Sequence, residues 1–237
     1  MAESTEALSA SLDALTTFVI GEQTMGETLR RIVELGQAAI PKADLTGLTL
    51  LTEQGRPTTA VFTGPATPDL DRVQYDTGQG PCLAAFRELR VINVPEMRTE
   101  TRWPKVAAQA HDDGVRSSLS APLILHDRGI GALNFYSRSD HAFTEHDEDT
   151  AQSFGLHAAV VVANAEAYWS AHTLSEQLQR AMSSRAEIEQ AKGILMGQSG
   201  VTPEEAFDLL KRASQRENRK LREIAIEIVR RSQERRH

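Results

Sequence analysis

Ser117-Ser-Leu-Ser-Ala-Pro-Leu-Ile-Leu125, His126-Asp-Arg-Gly129 and Ile130-Gly-Ala-Leu-Asn-Phe-Tyr136 decide the fold class. Two β-prone apolar runs flank four turn-forming residues, which reads as an antiparallel hairpin. Upstream of it, Val91-Ile-Asn-Val94 suggests a short strand and Gly80 to Arg87 a short helix. Further back, Thr46-Gly-Leu-Thr-Leu-Leu51 and Thr58-Thr-Ala-Val-Phe-Thr63 read as strands joined by the turn segment Glu53-Gln-Gly-Arg-Pro57. Leu8, Leu12, Leu15 and Val19, then Leu29, Ile32, Val33 and Gly36, recur at steps of three and four. They predict two helices split near Gly21–Gly26, the second ended by Pro41. Helices, strands and helix in that order predict an α+β fold around one antiparallel sheet.

Downstream of the hairpin, Thr144-Glu-His-Asp147 approximates a capping box, with Asp in place of Glu and Phe143 as a hydrophobic staple. From there to Gln198 the chain has no proline and three glycines, so it forms either one very long helix or two nearly collinear ones. Phe154, Ala158, Val161, Val162, Ala165, Tyr168 and Trp169 make a broad apolar stripe. It narrows to Leu174, Leu178, Ala181, Arg185, Ile188, Lys192 and Leu195, in alternating steps of four and three. That is coiled-coil spacing, with Arg185 and Lys192 as polar exceptions, and a parallel homodimer is the simplest partner for it. Thr202-Pro203-Glu204-Glu205 then signals a new helix start, with N-cap, Pro at N1 and Glu at N3. Its buried stripe is Ala206, Leu209, Leu210 and Ala213; after Asn218, Leu221, Ile224, Ala225 and Ile228 repeat the pattern. With Ile188, Ala191 and Leu195 these predict a three-helix core, and Phe207 is assigned to it as well.

The 237 residues suffice for one large domain or two small ones, and 40% hydrophobic with 25% charged residues is an ordinary globular balance. A single cysteine, Cys82, excludes an internal disulfide framework and a four-cysteine metal site within one chain. The longest wholly apolar run, Ala158 to Ala163, falls far short of the roughly 20 residues of a membrane helix. The N-terminus carries Glu3 and Glu6 and no basic stretch, so no secretory signal is expected and a cytoplasmic location is. The net charge of −7 is uneven. Residues 1–182 hold 14 basic against 24 acidic residues, residues 183–237 hold 12 against 9, and the last 27 hold 10 against 4. Two modules with different partners are expected.

Three segments carry a family resemblance. Arg185-Ala-Glu-Ile-Glu-Gln-Ala-Lys-Gly-Ile-Leu-Met196, Glu205-Ala-Phe-Asp-Leu-Leu-Lys-Arg-Ala213 and Asn218-Arg-Lys-Leu-Arg-Glu-Ile-Ala225 closely resemble the ANTAR family, three-helix RNA-binding domains of bacterial antitermination regulators. One departure is Lys211, where that family leads one to expect Arg and its planar, bidentate fork. Residues 25–168 look like a GAF sensor domain, most clearly at Ala142-Phe-Thr-Glu-His-Asp147 and the helix after it. Asp76-Thr-Gly-Gln-Gly-Pro-Cys-Leu83 resembles GAF domains fused to ANTAR domains. The cyclic-nucleotide signature of some GAF domains is half present: Phe143, Asp147 and Glu148 fit, but Phe135 follows Asn134 in place of Lys. The fold itself names no ligand.

Resemblance and pattern together divide the chain into an N-terminal helix over 1–24, a GAF-like sensor domain over 25–168 and an ANTAR domain over 169–237 with its core at about 174–230. The implied function is antitermination: a homodimer binds an RNA hairpin in a nascent transcript, with the GAF domain controlling or scaffolding the dimer and a small-molecule effector as a possible ligand. The rival reading is a GAF-regulated DNA-binding factor, since three short basic helices suit duplex DNA as well. The expected RNA contacts are Arg185, Lys192, Lys211, Arg212, Arg219, Lys220 and Arg222. Lys192 interrupts an apolar seam, either snorkelling at the helix edge or facing nucleic acid. Removing its side chain is expected to cost no core volume. Gly193, costly inside a helix, is expected at a close helix–helix approach.

No catalytic residue, cofactor or metal is expected. Cys82, beside apolar residues, reads as a small buried hydrophobe. His141 and His146 are poorly spaced for a metal pair, and Gly78-Gln-Gly80-Pro81 lacks the third glycine of a dinucleotide fingerprint, Leu83 standing in its place.

Overall fold

A computed structural model describes residues 2–17, 21, 23–52, 54–64 and 67–234. Val19 and Glu53, placed by the sequence in the first helix and the first strand turn, lie outside the described residues. The chain divides into two compact units, Met1–Trp169 and Ser170–His237.

The first unit is built on five antiparallel strands: β1 (Leu45–Leu51), β2 (Pro57–Phe62), β3 (Ile92–Val94), β4 (Ser117–Leu125) and β5 (Arg128–Ser137). Their order across the sheet is β2-β1-β5-β4-β3. The β4–β5 hairpin is longer than its sequence suggests. His126 and Asp127 take φ of 47° and 60°, closing a two-residue turn that pairs Leu125 with Arg128. Two central residues at positive φ are the signature of a type I′ turn, whose twist matches that of the strands. Gly131 has no room for a side chain: a Cβ there would stand 2.1 Å from the Thr49 carbonyl oxygen of β1.

Successive side chains of a strand point to opposite faces, and both faces of this sheet are buried. Leu133 and Phe135 join Leu48, Leu50, Leu119 and Leu123 under helices α1 (Ala2–Thr16) and α2 (Met25–Ala39) and the start of α6 (Glu145–Ser199), which contributes Phe154, Ala158 and Val162. Ala132 and Tyr136 point the other way, toward α3 (Thr67–Thr77), α4 (Pro81–Glu88) and α5 (Pro104–Asp112). The sequence reading missed α3 and α5. In α3 the buried side chains include Asp71 and Gln74 alongside Leu70, so the apolar periodicity that betrays a helix is broken.

Helix α6 is one uninterrupted helix of 55 residues. Its start is as the sequence indicates: Asp147 Oδ2 accepts hydrogen bonds from the Thr144 N–H at 2.7 Å and its hydroxyl at 2.6 Å, and Phe143 is buried. Burial pushes the Asp147 carboxyl up, but hydrogen bonds from Lys42 and Thr144 outweigh it and leave the pKa lowered. Of the broad stripe, Phe154, Ala158, Val162 and Ala165 are buried, whereas Tyr168 is exposed.

The second unit joins the C-terminal part of α6 to α7 (Pro203–Glu217) and α8 (Leu221–Glu234). Thr202 and Glu205 form the reciprocal capping box at the start of α7. Ala191, Leu210, Ile224 and Ala225 are buried at the centre, with Ile188, Leu195, Ala213, Leu221, Ile228 and Val229 packed around them. Two expectations for this core fail. Leu209 and Phe207 are each 41% exposed and stand outside the packed cluster. The ring at 207 lies beyond the stripe that Ala206, Leu210 and Ala213 turn inward, because each residue advances 100° around the helix.

Candidate nucleic-acid interface and sensor interior

The seven expected RNA contacts fall into two groups. Arg185, Lys211, Arg212 and Lys220 are exposed, and among the described residues their side chains make no ion pair or hydrogen bond. Arg222, Arg219 and Lys192 are engaged inside the unit. Arg222 grips Glu187 of α6 with both arms of its fork, Nε at 2.6 Å and Nη2 at 3.1 Å. The pairing holds the Glu187 carboxyl below its ordinary range and ties the start of α8 to α6. Arg219 reaches Glu227 at 2.7 Å and Glu217 at 3.2 Å. Lys192 Nζ stands 3.0 Å from both Glu189 oxygens. Its side chain is only 16% exposed, so its methylene stem packs at the edge of the core and its removal does take away packing.

Among the described residues nothing approaches Gly193 closely. A Cβ built there, or at Gly197, meets nothing within 4 Å. The seam residues Leu174 and Leu178 upstream are also uncovered, each 56% exposed, and Met182 beside the seam is 73% exposed.

The interior of the first unit holds a polar cluster that the sequence reading did not find. Asp71, fully buried on α3, accepts hydrogen bonds from the Thr59 hydroxyl at 2.7 Å and the Tyr136 hydroxyl at 2.9 Å. Since the Thr59 proton goes to the carboxylate, Thr59 accepts from Tyr75, and Tyr75 in turn accepts from Thr49, each at 2.9 Å. Thr49 receives the Cys82 thiol at 3.3 Å and the Asn134 amide at 3.1 Å. The donors thus run in one direction, from Cys82 to Asp71. No basic side chain touches that carboxylate among the described residues. Burial pushes Asp71 up to about 6, with the hydrogen bonds from Thr59 and Tyr136 pulling the other way. Burial, then the nearby Asp71 charge, pushes the Cys82 thiol up to about 12, so it is no nucleophile. Asn134 Oδ1 is buried without a partner. The spacing Asp71, Gln74, Tyr75 was the available signal: polar groups at i, i+3 and i+4 share one helix face. Between the C-terminal end of α3 and the start of α5, a cavity of about 400 Å³ is lined by Asp76, Thr77, Gln79, Trp103, Pro104, Lys105 and Val106.

The family model of the GAF domain matches residues 22–163, more than half of the chain, and that of the ANTAR domain residues 176–229. The chain belongs to the GAF domain family and has a GAF–ANTAR architecture. No curated protein sequence matches it. Among solved structures, the GAF domain of a phosphoenolpyruvate-protein phosphotransferase from Coxiella burnetii matches with a TM-score of 0.55 at 18% identity, over 71% of this chain and 97% of that one. A free methionine-R-sulfoxide reductase from Neisseria meningitidis, solved with its substrate, gives 0.55 at 17%, over 70% and 91%. The GAF domain of an Acinetobacter phosphoenolpyruvate-protein phosphotransferase gives 0.53 at 15%, over 69% and 94%. At such identities the likeness is one of fold, and the reductase lends this GAF domain no chemistry.

GAF domains are sensor domains and ANTAR domains RNA-binding domains of antitermination regulators; neither is a catalytic class. Among the described residues of this GAF–ANTAR chain, no group of three or more His, Cys, Asp or Glu side chains could hold a metal ion. No helix formed by these residues is long and apolar enough to cross a membrane.

Proposed function

We propose that this GAF–ANTAR protein acts as a homodimer in the cytoplasm, binding an RNA hairpin in a nascent transcript so that a terminator fails to form. The carrying observation is the ANTAR match over 176–229 on a three-helix unit that presents unpaired Arg185, Lys211, Arg212 and Lys220. Unpaired cations can displace the counterions condensed on RNA phosphates without first losing a carboxylate partner. Arg219, Arg222 and Lys192 must each leave or share a glutamate to reach phosphate. The GAF unit, 25–168, controls or scaffolds the dimer of the ANTAR unit, 169–237. An effector acts there through its differential affinity for two dimer arrangements.

The test is selection of binders from a pool of RNA hairpins with randomised loops, in competition with duplex DNA of matched length. Enrichment of hairpins, with affinity falling steeply as salt rises, is the expected result; preference for the duplex ends the RNA reading. Lys211→Ala and Arg212→Ala should each weaken binding and make the salt slope shallower by about 0.7 to 0.9, with an unchanged melting temperature. Lys211→Arg should bind as well or better, if a planar fork suits that site. Arg222→Lys should instead lower the melting temperature, because an ammonium cannot reproduce the two-armed grip on Glu187.

A further inference from the structure

We infer that Phe207 is a stacking platform for an unpaired base of the hairpin loop, and that Lys211 holds the phosphate beside that base. The inference rests on the RNA reading above and adds the contact through which the unit would reach a base as well as the backbone.

Phe207 is the only aromatic residue after Trp169. It is 41% exposed and excluded from the apolar cluster of its own unit. A single exposed apolar residue is ordinary on a protein surface. Leu209 and Ile226 are equally exposed, yet they are aliphatic and offer no π face. What distinguishes Phe207 is its row on the helix. Residues 207, 211, 214 and 218 follow at steps of four, three and four, so they lie along one face. That row reads Phe207, Lys211, Ser214 and Asn218. It ends at the α7–α8 turn, where Asn218 takes φ 50° and exposed Lys220 follows. Lys211 and Lys220 are both without an ion-pair partner among the described residues.

Charge sets the direction in which a strand would lie. Glu204, Glu205 and Asp208 crowd the N-terminal turn of α7, whereas Lys211, Arg212, Arg216, Arg219 and Lys220 follow toward its C-terminal end. A backbone tracking this face places its phosphates on the Lys211 side of the ring. Four helical residues rise about 6 Å, so ring and ammonium lie within the span of one nucleotide. Loop bases, unlike those in an RNA duplex, are free to splay out onto an aromatic face. Stacking adds affinity without adding salt dependence, which separates it from the lysine contacts.

The experiment uses the full chain and a hairpin enriched from the randomised pool by the unmodified protein, with 2-aminopurine replacing each loop base in turn. One position should be quenched on binding by the unmodified protein and by Phe207→Tyr, and not by Phe207→Leu. Phe207→Leu should bind about ten-fold more weakly with the same salt slope and melting temperature. Lys211→Ala should keep the quench and lose slope. Equal affinity and quenching for Phe207→Leu overturns the inference. So does a lowered melting temperature, which would make the ring a packing residue, or a changed sedimentation, which would make it a subunit contact. If no hairpin is enriched at all, the RNA reading fails and this inference falls with it.

Discussion

Asp71 shows how one side chain sets a condition on the whole sensor unit. Its carboxyl sits at about 6 in the fold because burial disfavours the charge, against about 3.9 in an unfolded chain. The folded state therefore binds the proton first. Its contribution is full below about pH 4 and is lost as pH rises through 6. A difference of that size between folded and unfolded chain is worth about 2–3 kcal/mol at most. Asp147 works in the opposite sense, its lowered pKa giving stability that is lost on acidification, so the comparison must isolate Asp71. Asp71→Asn, nearly isosteric and uncharged, should abolish the part of the stability change between pH 4 and 7 that the unmodified protein owes to this group. Denaturant unfolding of both proteins at several pH values measures it. Parallel pH profiles would show that the carboxyl titrates in its ordinary range. The local pattern carries only the shared helix face of Asp71, Gln74 and Tyr75; that the face is buried follows from the Thr59 and Tyr136 hydroxyls, which come to Asp71 from β2 and β5.

At the scale of elements, helix ends and the hairpin followed from local chemistry. Thr202-Pro203-Glu204-Glu205 makes the box it spells, because capping involves only neighbours in sequence. Strand β5 began two residues earlier than its apolar run, because the turn used His126 and Asp127 alone. Gly193 is the instructive reversal. A mid-helix glycine suggested a close neighbour, and among the described residues there is none. Gly193→Ala should accordingly stabilise the second unit by about 0.5–1 kcal/mol, since it adds a better helix former in open space. Thermal unfolding checks the stability, and hairpin binding by the same variant shows whether a partner needs the gap. A destabilised Gly193→Ala protein would mean that something outside the single chain approaches that backbone.

At the scale of the molecule, the exposed Leu174, Leu178 and Met182 on α6 are the feature the single chain leaves unexplained. A narrow apolar seam on a long helix is stable when a second helix covers it. Leu174→Glu combined with Leu178→Glu should turn a dimer into a monomer of half the mass in sedimentation at micromolar concentration. Hairpin affinity should drop with it, because two linked ANTAR units gain from effective concentration. Monomeric sedimentation of the unmodified protein would remove both the dimer and the coiled-coil reading.

Local sequence was enough for the antiparallel sheet, the capped start of α6, the capped α7 and the three-helix core, while it left one long helix and two collinear ones equally open. Each of the former rests on interactions between residues a few positions apart, or on an apolar period that any water-filled environment enforces. It also supplied the seven basic residues as a set. Only the tertiary structure sorted them, since whether a cation is free for phosphate depends on which carboxylate the fold brings beside it. Glu187 lies 35 residues before Arg222, and no local pattern pairs them. The same holds for the line of hydroxyls between Cys82 and Asp71. Its members come from four different elements, and a buried polar group is recognised by the partners that satisfy it, which are assembled only when the chain has folded.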